Sequence, residues 1–191
     1  MKRAALILLA VFLLLPALHG CGNAGDGGGF SIVTTIFPVY DFARAVVGDR
    51  GKVTNLLRPG EETHSYEPTP ADIIKIKNAD VFIYIGGESD TWVLSSLDTS
   101  GMKIVTLIDS VTPIEEEDGH ENEHGHEHGY DEHIWTSPPN AVRMTEKIAE
   151  AVISAAPDGA EVYRKNAAAY KKELEGLDSK FRETVLSAKR K

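Results

Sequence analysis

The sequence predicts an α/β protein: a lobe with a four-stranded parallel sheet flanked by helices, followed by one long helix. Three observations lead there. Short apolar, β-branched runs recur at residues 31–36 (SIVTTI), 53–57, 81–85 (VFIYI) and 103–107. Helical patterns lie between them, and a helical crossover between successive strands implies parallel pairing with both sheet faces covered. Beyond residue 138 the strand signals stop and only helical periodicity remains.

Each element has a local reason. The first strand, 31–36, is ended by Phe37 and Pro38. A helix over 39–47 follows, with helical spacing through Phe42 and Val46, and Gly48 closes it. The run 53–57 is the second strand. Thr69 reads as an N-cap, Pro70 takes the first helical position and Asp72 falls near a capping-box position, so a helix opens there and runs to about Asn78. The unbroken apolar character of VFIYI marks a strand buried on both faces. A short helix over 89–97 leads to the last strand. Ligands of such sheets bind beyond the carboxyl ends of the strands, which selects the loops 58–69, 86–88 and 108–136.

The remainder is helical. Pro138 and Pro139 start a helix that reaches about Ala156, and Pro157 and Asp158 break it. After that break Tyr163, Ala167, Tyr170, Leu174, Leu177 and Phe181 recur at spacings of three and four, which predicts one continuous apolar seam. A helix of about 30 residues is about 45 Å long, more than one small lobe needs. It reads as a strut leading to something else, with a coiled-coil arm as the alternative.

The amino terminus carries an address. Lys2 and Arg3 precede an apolar run over residues 4–18, then His19, Gly20 and Cys21, the pattern of an export signal over residues 1–20. The run falls short of the roughly 20 residues a spanning helix needs, and Pro16 interrupts it. Cys21 is the only cysteine, so an intrachain disulfide is excluded. Its setting, Leu18-x-Gly20-Cys21, resembles a bacterial lipobox, in which the cysteine is lipidated and becomes the first mature residue. Acyl chains on Cys21 would hold the protein to a membrane surface without spanning it. Residues 21–29 then form a lipid-anchored flexible tether, whose eight residues after the cysteine reach about 15 Å. The expected location is extracytoplasmic, anchored to the cell membrane.

Charge is distributed unevenly. The chain carries a formal −9, and nine of its 29 acidic residues lie in residues 115–132, where Lys and Arg are absent. Outside that tract 20 acids face 20 bases. Removing residues 1–20 leaves 18 bases against 29 acids, or −11, and a net acidic surface repels phosphates, so no nucleic acid is expected as a partner. Five of the seven histidines fall between residues 120 and 133. Neutral imidazole ligates Zn, Cu and Ni ions, and clustered carboxylates concentrate cations, so the tract points to metal handling. The competing interpretation is a solvated, disordered acidic loop. His120, His124, His126 and His128, interleaved with Gly119, Gly125 and Gly129, are expected to form a flexible auxiliary metal collector.

Two further histidines sit in strand-end loops. His64 lies in RPGEETHSYEPTP, residues 58–70, with Glu61, Glu62 and Glu67 around it. His133 lies in YDEHIWTSPPN, residues 130–140, where Ile134 and Trp135 are expected to anchor the loop in the core. Two histidines from separate strand ends can converge above the sheet, a geometry suited to a mononuclear nitrogen-ligand site.

These segments carry a family resemblance. The chain resembles the zinc/manganese solute-binding proteins of ABC importers, the cluster A-I family, through TTIFPVYDFARAVVGD at 34–49, PGEETHSYEPTP at 59–70, DVFIYIGGESDTWV at 80–93 and DEHIWTSPPNA at 131–141. NAAAYKKELEGLD at 166–178 resembles the family's linker helix. The resemblance is ordered along nearly all of the chain after the export signal. It implies two α/β lobes joined by a long rigid helix with metal between them, and His64 and His133 as the two metal ligands of the first lobe. It also implies that the His/acid tract is the loop found mainly in zinc-type members. At the second ligand the family often has Asp-Pro-His-x-Trp-Leu; here Glu132 replaces Pro and Thr136 replaces Leu. The family's third His and its carboxylate ligand come after the linker helix, and this sequence ends within that helix. The expectation is therefore residues 30–156 as the metal-binding lobe, with 115–132 as a disordered loop. Residues 157–191 are expected to be a truncated interlobe linker helix, with the second lobe absent from this chain.

The function so implied is that of an extracytoplasmic solute-binding protein, a monomer and not an enzyme. It would deliver Zn(II), its transported ligand, to the membrane subunits of an ABC permease. Imidazole ligands favour zinc over manganese but also accept nickel or copper. A manganese-type binding protein and a metal-dependent surface adhesin of the same fold remain alternatives. So does a secreted zinc hydrolase, which would pair an open metal position with a Glu base; the HExxH match, His120-Glu121-Asn122-Glu123-His124, falls in the Gly-interleaved acidic tract and not in a helical pattern. Gly86-Gly87 reads as a strand-end turn and not as a nucleotide site.

Overall fold

A computed structural model describes residues 29–114 and 130–189. The export signal, Cys21 and the tract histidines His120, His124, His126 and His128 lie outside the described residues.

Strands β1 (Ser31–Thr34), β2 (Lys52–Asn55), β3 (Val81–Tyr84) and β4 (Ile104–Thr106) form one sheet in the order β2-β1-β3-β4, and every pair is parallel. Helices α1 (Phe37–Val47), α2 (Pro70–Lys77) and α3 (Trp92–Ser96) lie in the three crossovers, and α4 (Pro138–Ala155) and α5 (Ala160–Ser187) follow. The element order and the fold class are those the sequence predicts. The boundaries differ in instructive places. Phe37 and Pro38 open α1 and do not terminate a strand, because proline costs nothing in a first helical turn whose N–H groups have no partner inside the helix. Residues 89–97 divide into a 3₁₀ turn, Glu88–Asp90, and the short α3. Leu56 and Leu57 lie beyond β2, yet their amides still donate to the carbonyls of Thr34 and Thr35 at 2.8 and 3.1 Å.

The two central strands, β1 and β3, are buried on both faces, as the unbroken apolar run of β3 requires. Along β3 and just past it, Val81, Ile83 and Ile85 pack with Val39, Val46, Met144 and Ile148 from α1 and α4. Phe82 and Tyr84 point the other way, to Ile76, Trp92, Val93 and Leu97. Successive side chains of a strand alternate faces, so a strand with two covered faces has no polar position to offer.

The α2 entrance forms the reciprocal cap the sequence predicts. Thr69 Oγ1 accepts from the Asp72 amide at 3.2 Å, and Asp72 Oδ2 accepts from the Thr69 amide at 3.1 Å. Burial raises the Asp72 pKa, but Lys75 Nζ at 2.8 Å and the bonds from Thr69 outweigh it and bring it to about 2.

The long helix has about the length expected, and its apolar seam is covered only in part. Tyr163, Ala167 and Leu174 of α5 are buried, Tyr170 Oη donates to Asp41 Oδ2 at 2.8 Å, and Asn166 Nδ2 donates to the Val46 carbonyl at 3.1 Å. Leu177 and Phe181, placed on the same continuous seam from sequence, are 43% and 54% exposed. The reason is length. The 28 residues of α5 span about 42 Å, whereas the 18 residues of α4 beside it span about 27 Å. The helix therefore outruns the surface that would cover its far half.

Candidate metal centre

The strand order places a switch point between β1 and β3: the chain leaves β1 to one side to form β2, then returns to the other side for β3. Loops at such a point splay apart and leave a crevice at the carboxyl ends of the strands. The loop after β2 brings His64 there, the loop after β3 brings Ser89 and Asp90, and the segment before α4 brings Glu132 and His133.

His64 and His133 meet. Their ring centroids are 5.4 Å apart, with the ring planes inclined at 54°. Two imidazoles sharing one tetrahedral ion at Zn–N distances of about 2.1 Å would have centroids about 5 Å apart. The spacing therefore suits a shared ion without further movement of the loops. Both residues are exposed. Among the described residues no group of three or more His, Cys, Asp or Glu side chains is arranged to hold a metal, so two imidazoles are what those residues offer. A tetrahedral ion on the pair would keep two positions open.

The two rings are held differently. His133 is held from its own segment. Asp131 Oδ1 accepts from the His133 amide at 2.9 Å and lies 2.8 Å from His133 Nδ1. Those bonds, the backbone one foremost, keep the Asp131 carboxyl below its ordinary pKa. The His133 carbonyl accepts from Thr136 Oγ1 at 2.8 Å. Ile134 is buried and anchors the segment as expected. Trp135 is half-buried and packs against the edge of the core cluster, and its ring centroid lies 5.2 Å from that of His133, which it flanks.

His64 is held from across the crevice. Its Nδ1 lies 2.9 Å from Ser89 Oγ and 3.2 Å from Glu132 Oε1. Glu132 is buried, and Ser89 grips both of its oxygens: the amide donates to Oε2 at 3.0 Å and the hydroxyl donates to Oε1. Gly87 makes room for this carboxylate. It adopts φ +101° and ψ −168°, a region open essentially to glycine alone, and a Cβ built on it would stand 2.6 Å from Glu132 Oε2. Asp90 lies behind, buried, with Oδ2 accepting from the amides of Ile85 and Gly86 at 3.1 and 3.0 Å. Burial pushes its pKa up to about 6; the Gly86 and Ile85 amides oppose the rise, and the nearby Glu132 charge adds to it. A void of about 20 Å³ bordered by Thr35, Ser89, Asp90, Glu132 and Trp135 has room for one water at most.

Of the residues singled out from sequence, the structure thus brings His64 and His133 together. Glu61, Glu62 and Glu67 remain exposed around the His64 loop, where the His64 amide donates to Glu62 Oε1 at 3.3 Å. Ser89, Glu132 and the Gly87 conformation carry the His64 support and were not foreseen. Two faint signals existed: the Gly86-Gly87 pair at a strand end, and the acid standing where the resembled motif has proline.

Comparison with known proteins points one way. Residues 32–191 match the family described as zinc-uptake complex component A, periplasmic. The chain is 38% identical to a zinc-binding lipoprotein AdcA of Streptococcus pneumoniae serotype 4, over all of this chain and 40% of that protein. It is 34% identical to the high-affinity zinc uptake system protein ZnuA of Bacillus subtilis, over 97% of this chain and 62% of that one. Among solved structures, Zn(II)-bound AdcA from S. pneumoniae superposes with a TM-score of 0.74 at 36% identity, covering 86% of this chain and 34% of its own. The laminin-binding protein Lmb of Streptococcus agalactiae, described as both adhesin and metal transporter, superposes with a TM-score of 0.75 at 27% identity, covering 86% and 59%. The chain therefore spans between about two fifths and three fifths of the length of the curated relatives named.

Proposed function

This chain belongs to the periplasmic component A family of zinc-uptake complexes, and on that premise we propose that it captures Zn(II) outside the cytoplasm and serves its delivery to an ABC permease. The observation that carries the reading is the approach of His64 and His133, from loops that the sheet topology brings to one crevice, to a centroid spacing of 5.4 Å. Imidazoles meeting without a thiolate or a dense carboxylate cage favour zinc over manganese. In this reading His64 and His133 are the ligands of the lobe. His120, His124, His126 and His128 collect metal loosely nearby, and lipidated Cys21 keeps the protein at the membrane. A mobile tract loses conformational entropy when it binds, so its affinity should be below that of the structured pair. The family, defined by uptake, supports a binding protein and not a hydrolase.

Calorimetric titration of the full chain with zinc tests this. His64→Ala and His133→Ala should each remove most of the tightest binding event. Deleting residues 116–129 should lower the number of ions bound and spare that event. Unchanged tight binding in the double histidine variant would place the site elsewhere. Loss of the tight ion on deleting the tract would reverse the two roles.

A further inference from the structure

Glu132 is a buried carboxylate beside the imidazole pair. It is 9% exposed. Burying such a group is unfavourable unless its oxygens are satisfied, and here Ser89 satisfies one with its amide and the other with its hydroxyl. Gly87 adds a positive-φ turn that only a residue without a side chain can make beneath that carboxylate. Three elements of structure thus hold one acid, and the group that this acid and Ser89 face is His64 Nδ1.

The hydrogen bonds determine a tautomer. A serine hydroxyl has a single proton, and Ser89 gives its proton to Glu132 Oε1. Its oxygen can then only accept from His64 Nδ1, 2.9 Å away. The second neighbour of Nδ1, at 3.2 Å, is Glu132 Oε1, the carboxyl oxygen that already accepts from Ser89. This arrangement calls for a proton on Nδ1 and a lone pair on Nε2. Ordering of a ligating histidine by a carboxylate on its other nitrogen is a general means of raising metal affinity.

We propose that Glu132 is a positioning residue for zinc capture: clamped by Ser89 and seated on Gly87, it holds His64 with its proton on Nδ1 and Nε2 free to ligate. This rests on the reading of His64 as a zinc ligand. Glu132 itself does not touch the ion. Its contribution comes through the tautomer and angle of the ring it faces.

The test begins without metal. In the full chain labelled with ¹⁵N at histidine, long-range ¹H–¹⁵N correlation spectra assign the tautomer of His64, with His64→Ala identifying its signals. The expected result is an Nδ1–H imidazole in the unmodified chain, and a mixture or an Nε2–H imidazole in Glu132→Gln. Ser89→Ala, which keeps the acid and its bond from the residue 89 amide but removes the hydroxyl, should shift the population in the same direction by less. Zinc titration should then show affinity weakened about 10- to 100-fold in Glu132→Gln, the range seen when outer-sphere partners of ligating histidines are removed. An Nε2–H His64 in the unmodified chain overturns the proposal. So does an unshifted tautomer in both variants, or unchanged zinc affinity in a folded Glu132→Gln chain. If His64→Ala leaves zinc affinity intact, it is the ligand assignment that fails, and the metal-free spectra keep that failure separate from the tautomer result.

Discussion

His64 and His133 face one another, yet the supports behind them are built from different materials. His133 is held by Asp131, two residues away, whose side chain is 47% exposed. His64 is held by Glu132 and Ser89, 43 residues apart in the chain, and the side chain of Glu132 is 11% exposed. An exposed carboxylate competes with water for the imidazole N–H, and pairs of that kind contribute little. A buried one has no competitor, but it must be satisfied on every oxygen and charges the structure for desolvation if it is not. One histidine is thus oriented by local chain geometry, loosely. The other is oriented by tertiary packing, firmly and with a dependence on remote residues.

The sharpest way to break the difference is Gly87→Ala. The position lies at φ +101° with a Cβ site 2.6 Å from Glu132 Oε2, so the variant meets both backbone strain and a clash. A non-glycine residue in that region costs of order 1–3 kcal/mol. Denaturant unfolding should show a loss of that size, and zinc affinity should fall together with it. Retention of both would mean that the Glu132 seat is slack and the His64 support no firmer than that of His133.

A second experiment uses pH. Among the described residues, only the His64 side backs onto a buried carboxyl raised to about 6, that of Asp90. A raised carboxyl means that the folded chain binds the proton more tightly than the unfolded one, whose ordinary value is 3.8. The stabilisation is therefore complete below about pH 4 and is lost as pH rises through about 6. Unfolding free energies measured across that window should decline for the unmodified chain relative to Asp90→Asn, by roughly 1–3 kcal/mol. Parallel profiles for the two chains would show that Asp90 is ionised throughout and that burial behind Glu132 is less effective than its depth implies.

The smallest effect is expected at Asp131. Removing it in Asp131→Ala deletes an exposed partner that water can replace, so zinc affinity should weaken by less than in Glu132→Gln and thermal stability should stay within about 0.5 kcal/mol. A loss at Asp131 equal to that at Glu132, read by the same zinc titration, would erase the asymmetry between the two supports.

The far half of α5 makes a related point about what a sequence displays. Tyr163, Ala167, Leu174, Leu177 and Phe181 follow one period, and nothing in that period distinguishes the buried from the exposed. Periodicity reports that a face is apolar; what covers the face depends on where neighbouring elements stop. The cap at Thr69 and Asp72 lies at the opposite extreme. Its partners are three residues apart, and the hydrogen bonds found are the ones the residue types predict.

By itself, then, the sequence determined what depends on short separations and on composition. That includes the strands and the two-faced burial of β3, the parallel α/β class, the helix cap, and the two strand-end histidines whose chemistry points to metal. The tertiary structure alone decided that these histidines stand 5.4 Å apart and that Ser89 reaches Glu132. It also set Gly87 in the one conformation that accommodates the carboxylate, and it left Leu177 and Phe181 exposed. The physical reason is common to all of these. Local propensities and alternation act over a few bonds and are written in adjacent residues. A hydrogen bond between residues 43 positions apart exists only once a sheet has brought their loops together, and no pattern along the chain encodes that distance.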